Sequence, residues 1–159
     1  MKELIIRQAE QIDFDKLIPI YNEFIDYHKQ FGESFKKVEN AADLIKKYHE
    51  NENQNDNAGL FVALINSELV GFCFCIVQNK PPVYIESIIG EIGSIVVKQE
   101  FQRRGIGKQL LNLAFEWFKL KGIKRIETQF VISNPKSSAF WAKMDFTPFI
   151  ESTYLNLEL

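Results

Sequence analysis

The stretch Glu91–Gly107, EIGSIVVKQEFQRRGIG, constrains the fold more than any other part of the chain. Its β-branched run, Ile95-Val96-Val97, reads as a buried strand. A short polar turn follows, then Gln102-Arg103-Arg104-Gly105-Ile106-Gly107, then an amphipathic helix expected over Lys108–Lys121. That helix turns Leu110, Leu111, Ala114, Trp117 and Phe118 inward and ends at Gly122 as its C-cap. A strand, a glycine-containing loop and a helix N-terminus in this order make an anion site. First-turn N–H groups have no intrahelical partner, and the positive end of the helix dipole faces whatever sits there. Gly105 and Gly107 let the backbone close around a phosphate where a Cβ would collide. Arg103, Arg104 and Lys108 add local positive charge to a chain whose net charge is −2. The stretch reads as a pyrophosphate cradle.

The spelling of the loop narrows the ligand. A nucleotide-triphosphate loop of the GxxxxGK[ST] type needs glycine at 102 and Ser or Thr at 109, where this chain has Gln102 and Gln109. A dinucleotide fingerprint starting at Gly105 needs a third glycine where Leu110 stands. The pattern that fits is Q/R-x-x-G-x-G/A. QRRGIG behind EIGSIVV closely resembles the acetyl-CoA-binding motif of the GNAT superfamily of N-acetyltransferases.

Around this stretch the chain divides into alternating patterns. Leu4–Arg7 begins as a strand, and a helix from Asp13 or Asp15 carries Leu17, Ile20, Tyr21, Phe24, Tyr27 or His28, and Phe31 at helical spacing until Gly32. Pro19 must fall near that helix's first turn or kink it. Ala41–Glu50 reads as a second helix, Asn51–Asn57 as a polar loop, and Leu60–Ile65 with Leu69–Val77 as a hairpin turning at Asn66-Ser67-Glu68. Val83–Ile89 continues as a strand or flap, Ile123–Val131 as a further strand, and Pro135 opens a helix at its N1 position. Phe149–Leu157 alternates enough for a closing strand or hairpin. The order is that of an α/β, α+β layered structure. It resembles the GNAT fold, which implies a mixed, mostly antiparallel sheet of about 6–7 strands flanked by about 4 helices in one domain over 1–159.

The same resemblance implies roles for individual residues. Gln102 to Lys108, Ile106 included, would hold the pyrophosphate. Backbone groups of Ile95 and Val97 would pair with the pantetheine arm as an added strand does, and a strand N–H near Val96 or Val97 would hold the thioester oxygen. Asn134, Ser138, Trp141 and Lys143, in NPKSSAFWAKMDF, match the family's later motif beside the cofactor. Many members carry Tyr where this chain has Trp141, and an indole N–H is too weak an acid to protonate a departing thiolate. Asp145 replaces a usual glycine, a change that a turn with φ > 0 tolerates. Glu91 is the candidate general base, since amide formation from a thioester needs a neutral amine. Glu86 and Glu151 are weaker competitors.

The implied activity is acetyl transfer from acetyl-CoA to a primary amine of a small molecule, peptide or protein, by direct attack in a ternary complex. Tyr21, Tyr27, His28, Tyr84 and Glu86 are candidates to line the acceptor site. Two other readings are a CoA-binding regulatory module that has lost turnover and, least favoured, a nucleotide-binding protein. A pI near 5.8 implies no pull toward nucleic acid or anionic membrane. Cys73 and Cys75 alternate on one strand as buried thiols, and with only His28 and His49 besides, no metal site is expected. The N-terminus lacks a long apolar run, so the expected location is the cytoplasm, with a homodimer as a candidate assembly.

Overall fold

The computed structural model describes residues 3–157. Five strands form one sheet: β1 (Leu4–Gln8), β2 (Ala58–Ile65), β3 (Glu68–Asn79), β4 (Ile88–Val97) and β5 (Ile126–Thr128), in the spatial order β1-β2-β3-β4-β5. Every neighbouring pair is antiparallel except β4 and β5, which run parallel. The α-helices are α1 (Phe14–His28), α2 (Ala41–Glu52), α3 (Ile106–Leu120) and α4 (Pro135–Lys143). The mixed, mostly antiparallel sheet and four helices are as expected, but the strand count falls short of 6–7. The stretch Ile123–Val131 contributes only the three residues of β5. The alternating tail forms no strand within 147–157, where Phe149, Ile150, Tyr154, Leu155 and Leu157 are exposed. Alternation makes a strand only where a neighbouring edge and a covering layer exist.

The chain separates into two compact units, one ending at Gln129 and one beginning at Phe130. In the first, α1 lays Phe14, Leu17 and Ile20 onto one sheet face against Leu60, Val62, Leu64, Phe72 and Phe74. The opposite face receives α3, which packs on β2, β3 and β4 and buries Leu110, Leu111, Ala114 and Phe118. Phe118 fills the space beside Gly90, where a Cβ would lie 2.5 Å from its ring. The hairpin between β2 and β3 turns on Asn66 and Ser67 with φ of 51° and 67°, the two-residue geometry that matches the strands' own twist. Helix α1 stops at His28 and a tight 3-10 turn carries the chain on to Phe31, while Pro19 sits beyond the first turn. Gly122, at φ 72°, ends α3 with its N–H bonded to Lys119 and that of Ile123 to Phe118, a paired closure of the last carbonyls.

In the second unit, Pro135 opens α4 behind Asn134, as expected. Asp145 adopts φ 63° and closes the helix as Gly122 does, with Phe146 N–H bonded to the Trp141 carbonyl. The aspartate thus takes the left-handed turn that the sequence requires of it.

Strand β4 is interrupted. Phe74 pairs with Ser94 but the next residue, Cys75, pairs with Ile92, so Gly93 is an extra residue on β4: a β-bulge.

Candidate active site

The bulge divides β4 into two halves with different neighbours. Before it, β5 pairs with Gly90, Glu91 and Ile92, and Thr128 Oγ1 adds a 2.9 Å hydrogen bond to the Ile92 carbonyl. After it, β5 provides no partner, and residues 94–97 are only half-buried. Lys98 N–H donates to the Val70 carbonyl at 2.9 Å, which fixes the phase of the ladder. Backbone groups of Ser94 and Val96 therefore turn toward β3, and those of Ile95 and Val97 turn to the open edge. The expected thioester donor narrows accordingly. Val96 N–H is committed to the sheet, so only the Ile95 and Val97 edge is presented. Gln102 Nε2 donates to the Val97 carbonyl at 2.9 Å, tying the loop to that edge.

The loop delivers the helix N-terminus. Gly105 is the N-cap of α3 at φ 79°, a left-handed conformation with nothing within 4 Å of its absent Cβ. The helix starts at Ile106, two residues earlier than the pattern near Lys108 implied, because the turn at Gly105 already aims the chain along the helix. Gly107 is thus the second helical residue, and its contribution is a missing side chain rather than a special φ. Arg103 is at φ 62° and exposed. Arg104 folds back, donating to the Glu100 carbonyl at 2.8 Å with its guanidinium 5.4 Å from the Phe101 ring centre. Lys108 is exposed in the first turn.

Glu91 lies on the α1–α2 face, as its β3 neighbour Ile76 packs into that core. Burial, and then the charge of Glu127 beside it, raise the Glu91 carboxyl above its ordinary value. Glu127 is the direct partner of Glu91 across the parallel pair. Burial pulls the Glu127 carboxyl upward too, but hydrogen bonds from Lys80 and from Arg125 (Nε to Oε1, 2.6 Å) outweigh it and hold it below its usual range. Two adjacent carboxylates are thereby pushed apart: one clamped as an anion, the other poised to exchange a proton. Tyr48 of α2 faces the same place, its phenol raised by burial and then by the charges of Glu52 and Glu91.

A further cluster reaches this face from the helices. His49 Nε2 lies 2.8 Å from the Tyr21 hydroxyl, and that hydroxyl lies 3.2 Å from Ser94 Oγ. Ser94 pairs with Phe74, so it shares a face with Glu91 although three positions separate them. The inserted Gly93 makes that possible.

The remaining expected residues fall elsewhere. Tyr27 and His28 belong to an aromatic cluster on α1. His28 packs on Phe24 and Phe35 at 4.1 and 5.5 Å, and it lines a cavity of about 400 Å³ between α1 and α2. Tyr84 is exposed in the loop before β4, and Glu86 in that loop lies 3.6 Å from Arg125. In the second unit Asn134 is buried and caps α4, accepting from Lys136 and Ser137 N–H at 3.2 and 3.4 Å and donating to Ser137 Oγ at 2.9 Å. Ser138 is half-buried and Lys143 exposed. Trp141 is buried edge-on to Phe140 and Phe146, 5.1 and 4.8 Å between ring centres. Ser94, His49, Tyr48 and Glu127 were not singled out for the site from the sequence. The one signal was Gly93, since a glycine inside a strand pattern marks a bulge.

The sequence profile of the acetyltransferase (GNAT) family matches residues 19–146. The chain belongs to the GNAT acetyltransferase family. This GNAT chain is 28% identical over 144 residues to an uncharacterized N-acetyltransferase of Archaeoglobus fulgidus, a match covering 88% of this chain and 90% of that protein. Its fold superposes on the aminoglycoside N-acetyltransferase AAC(6')-Iy in complex with CoA. That comparison has a TM-score of 0.81 at 17% identity, over 100% of this chain and 97% of that one. A predicted acetyltransferase with acetyl-CoA from Clostridium acetobutylicum matches with a TM-score of 0.80 at 17% identity, over 97% and 96% of the two chains. The activity class of this GNAT chain is N-acetyl transfer.

Proposed function

We propose that the protein takes acetyl-CoA as donor and moves the acetyl group to a primary amine of a small molecule, peptide or protein, by direct attack in a ternary complex. The observation that carries this reading is the open half of β4 leading, through Gln102, into the N-terminus of α3. An extended amide-bearing arm fits the Ile95 and Val97 edge, which β5 does not cover, and a pyrophosphate fits the N–H groups beyond Gly105. The CoA and acetyl-CoA complexes of the structures with this fold support the donor assignment. The family match crosses from one compact unit into the other, which supports reading both as one acetyltransferase domain.

In this reading the acceptor amine approaches on the α1–α2 face. Glu91, its carboxylate made more basic by burial and by Glu127, removes the amine proton as nitrogen attacks the acetyl carbon. The edge N–H groups of β4 hold the carbonyl oxygen as it gains charge. The C–S bond then breaks and CoA leaves. Neither cysteine serves as an acyl carrier: burial pushes Cys75 up to about 12 and Cys73 well above its ordinary value. The Glu91 carboxylate suits a cationic acceptor, whereas Glu127 and Glu86 are engaged by Lys80 and Arg125.

A thermal-shift titration with acetyl-CoA, CoA, ATP and NAD tests the donor. A ligand at a hundred times its Kd stabilises the fold by about 2.7 kcal/mol. We expect acetyl-CoA and CoA to raise the melting temperature and Gly105→Glu, which places a carboxylate at the anion site in a left-handed turn, to abolish that rise. No response to either CoA species overturns the reading. An amine panel of spermidine, an aminoglycoside and a lysine peptide, followed by release of free thiol, then identifies the acceptor class.

A further inference from the structure

One cluster on the α1–α2 face is left unused by the mechanism above. His49 is 1% exposed, enclosed by the rings of Tyr21, Tyr48 and Phe74 at 5.0–5.3 Å. Its Nδ1 is buried and has no hydrogen-bond partner among the described residues. An orphaned buried N–H is rarer in proteins than an orphaned acceptor, so the imidazole proton belongs on Nε2. That choice sets a direction. Nε2–H donates to the Tyr21 oxygen, the Tyr21 hydroxyl donates to Ser94 Oγ, and the Ser94 proton is left to point outward at the bulge. Each donor in such a chain polarises the next. Burial keeps both upstream groups neutral, pushing His49 down to about 4 and Tyr21 up to about 12.

The geometry points to a directed hydrogen-bond chain, His49 to Tyr21 to Ser94, that presents the Ser94 hydroxyl as a donor to the sulphur of the reacting thioester. Tyr21 and His49 are positioning residues, and the inference rests on the acetyl-CoA reading. In the acetyl-CoA reading the in-plane N–H groups of the β4 edge serve the carbonyl oxygen, whereas the Ser94 side chain projects out of that plane on the same face as Glu91. As the amine nitrogen bonds to that carbon, its proton goes to Glu91 and the C–S electron pair goes to sulphur. The thiolate is held by Ser94 and takes its proton from solvent. The titratable groups facing this edge are Tyr21 from α1, Tyr48 and His49 from α2, Glu91 on β4 and Glu127 on β5.

The decisive experiment needs no acceptor. The ultraviolet absorbance of the thiolate is followed against pH for CoA bound to wild type, Ser94→Ala, Tyr21→Phe and, as a control for nearby charge, Glu91→Gln. We expect Ser94→Ala to raise the pH at which bound CoA ionises by about one unit, as loss of one hydrogen bond to a charged group requires. Tyr21→Phe, which keeps the ring stacked on Phe72, moves it the same way by less. Glu91→Gln moves it the opposite way. With an accepted amine, Ser94→Ala lowers kcat about tenfold with KM for acetyl-CoA unchanged, and Ser94→Thr restores it. We expect nitrogen-15 spectra to place the His49 proton on Nε2. An unchanged CoA titration in Ser94→Ala, or a proton on Nδ1, overturns the chain while leaving the acetyltransferase reading intact. Failure of CoA to bind wild type overturns both.

Discussion

The two halves of β4 are separated by one residue, Gly93, and do opposite work. From Gly90 to Ile92 the strand is held on both sides, by β3 and by β5, and it is packed against Phe118 where its glycine has no side chain. From Ser94 to Val97 it is held by β3 alone and braced from one face by Tyr21 and His49. The closed half fixes Glu91 rigidly opposite Glu127. The open half offers hydrogen-bonding groups that a protein normally hides, because an unpaired edge invites association. A single inserted glycine makes the difference. It bends the strand away from its parallel neighbour and shifts the pleat by one, so the base and Ser94 come to the same face on either side of the opening.

The sharpest way to break this contrast is to disarm the closed half. Glu91→Gln removes the base and leaves the packing, and should reduce kcat about a thousandfold with acetyl-CoA binding retained. The brace beneath the open half comes next. His49 is buried neutral at about 4, below its ordinary 6.5. The unfolded chain therefore takes up a proton that the folded chain refuses as pH falls through that window. At about 1.4 kcal/mol per unit, we expect about 3 kcal/mol of stability, fully present above pH 6.5, to be lost by pH 4. Chemical denaturation across that range checks it, with His49→Gln flattening the slope. A smaller effect comes from Gly90→Ala, which forces a Cβ against Phe118 and should destabilise by about 2 kcal/mol. The smallest is electrostatic. Removing the Glu127 charge by Glu127→Gln lowers the Glu91 pKa, so the acid limb of the kcat/KM profile should move to lower pH by less than about one unit.

Local chemistry was legible from the residues. The strand, glycine loop and helix of 91–120, the hairpin at Asn66-Ser67, the proline-led α4 and the left-handed Asp145 all follow from backbone preferences that act within a few positions. Register did not follow. Nothing near Glu91 in sequence announces that Glu127 stands beside it, because that neighbour is set by a parallel pairing across a whole helix. Tyr21 reads from the sequence as a candidate acceptor-site residue and His49 as an ordinary amphipathic position, and the hydrogen bond between them appears only once α1 and α2 lie on the same face. The tail erred in the other direction: its pattern permits a strand, but pairing decides, and none forms within 147–157.

The placement of Cys73 and Cys75 in the closed centre of the sheet has a practical consequence. Both thiols are free and fully screened from solvent, with their protons held tightly by burial. A disulfide reagent added to count the CoA released on turnover will therefore read product alone from the native protein. The same reagent added without substrate becomes a clock for global opening, since these two sulphurs react only when the central strand leaves the sheet.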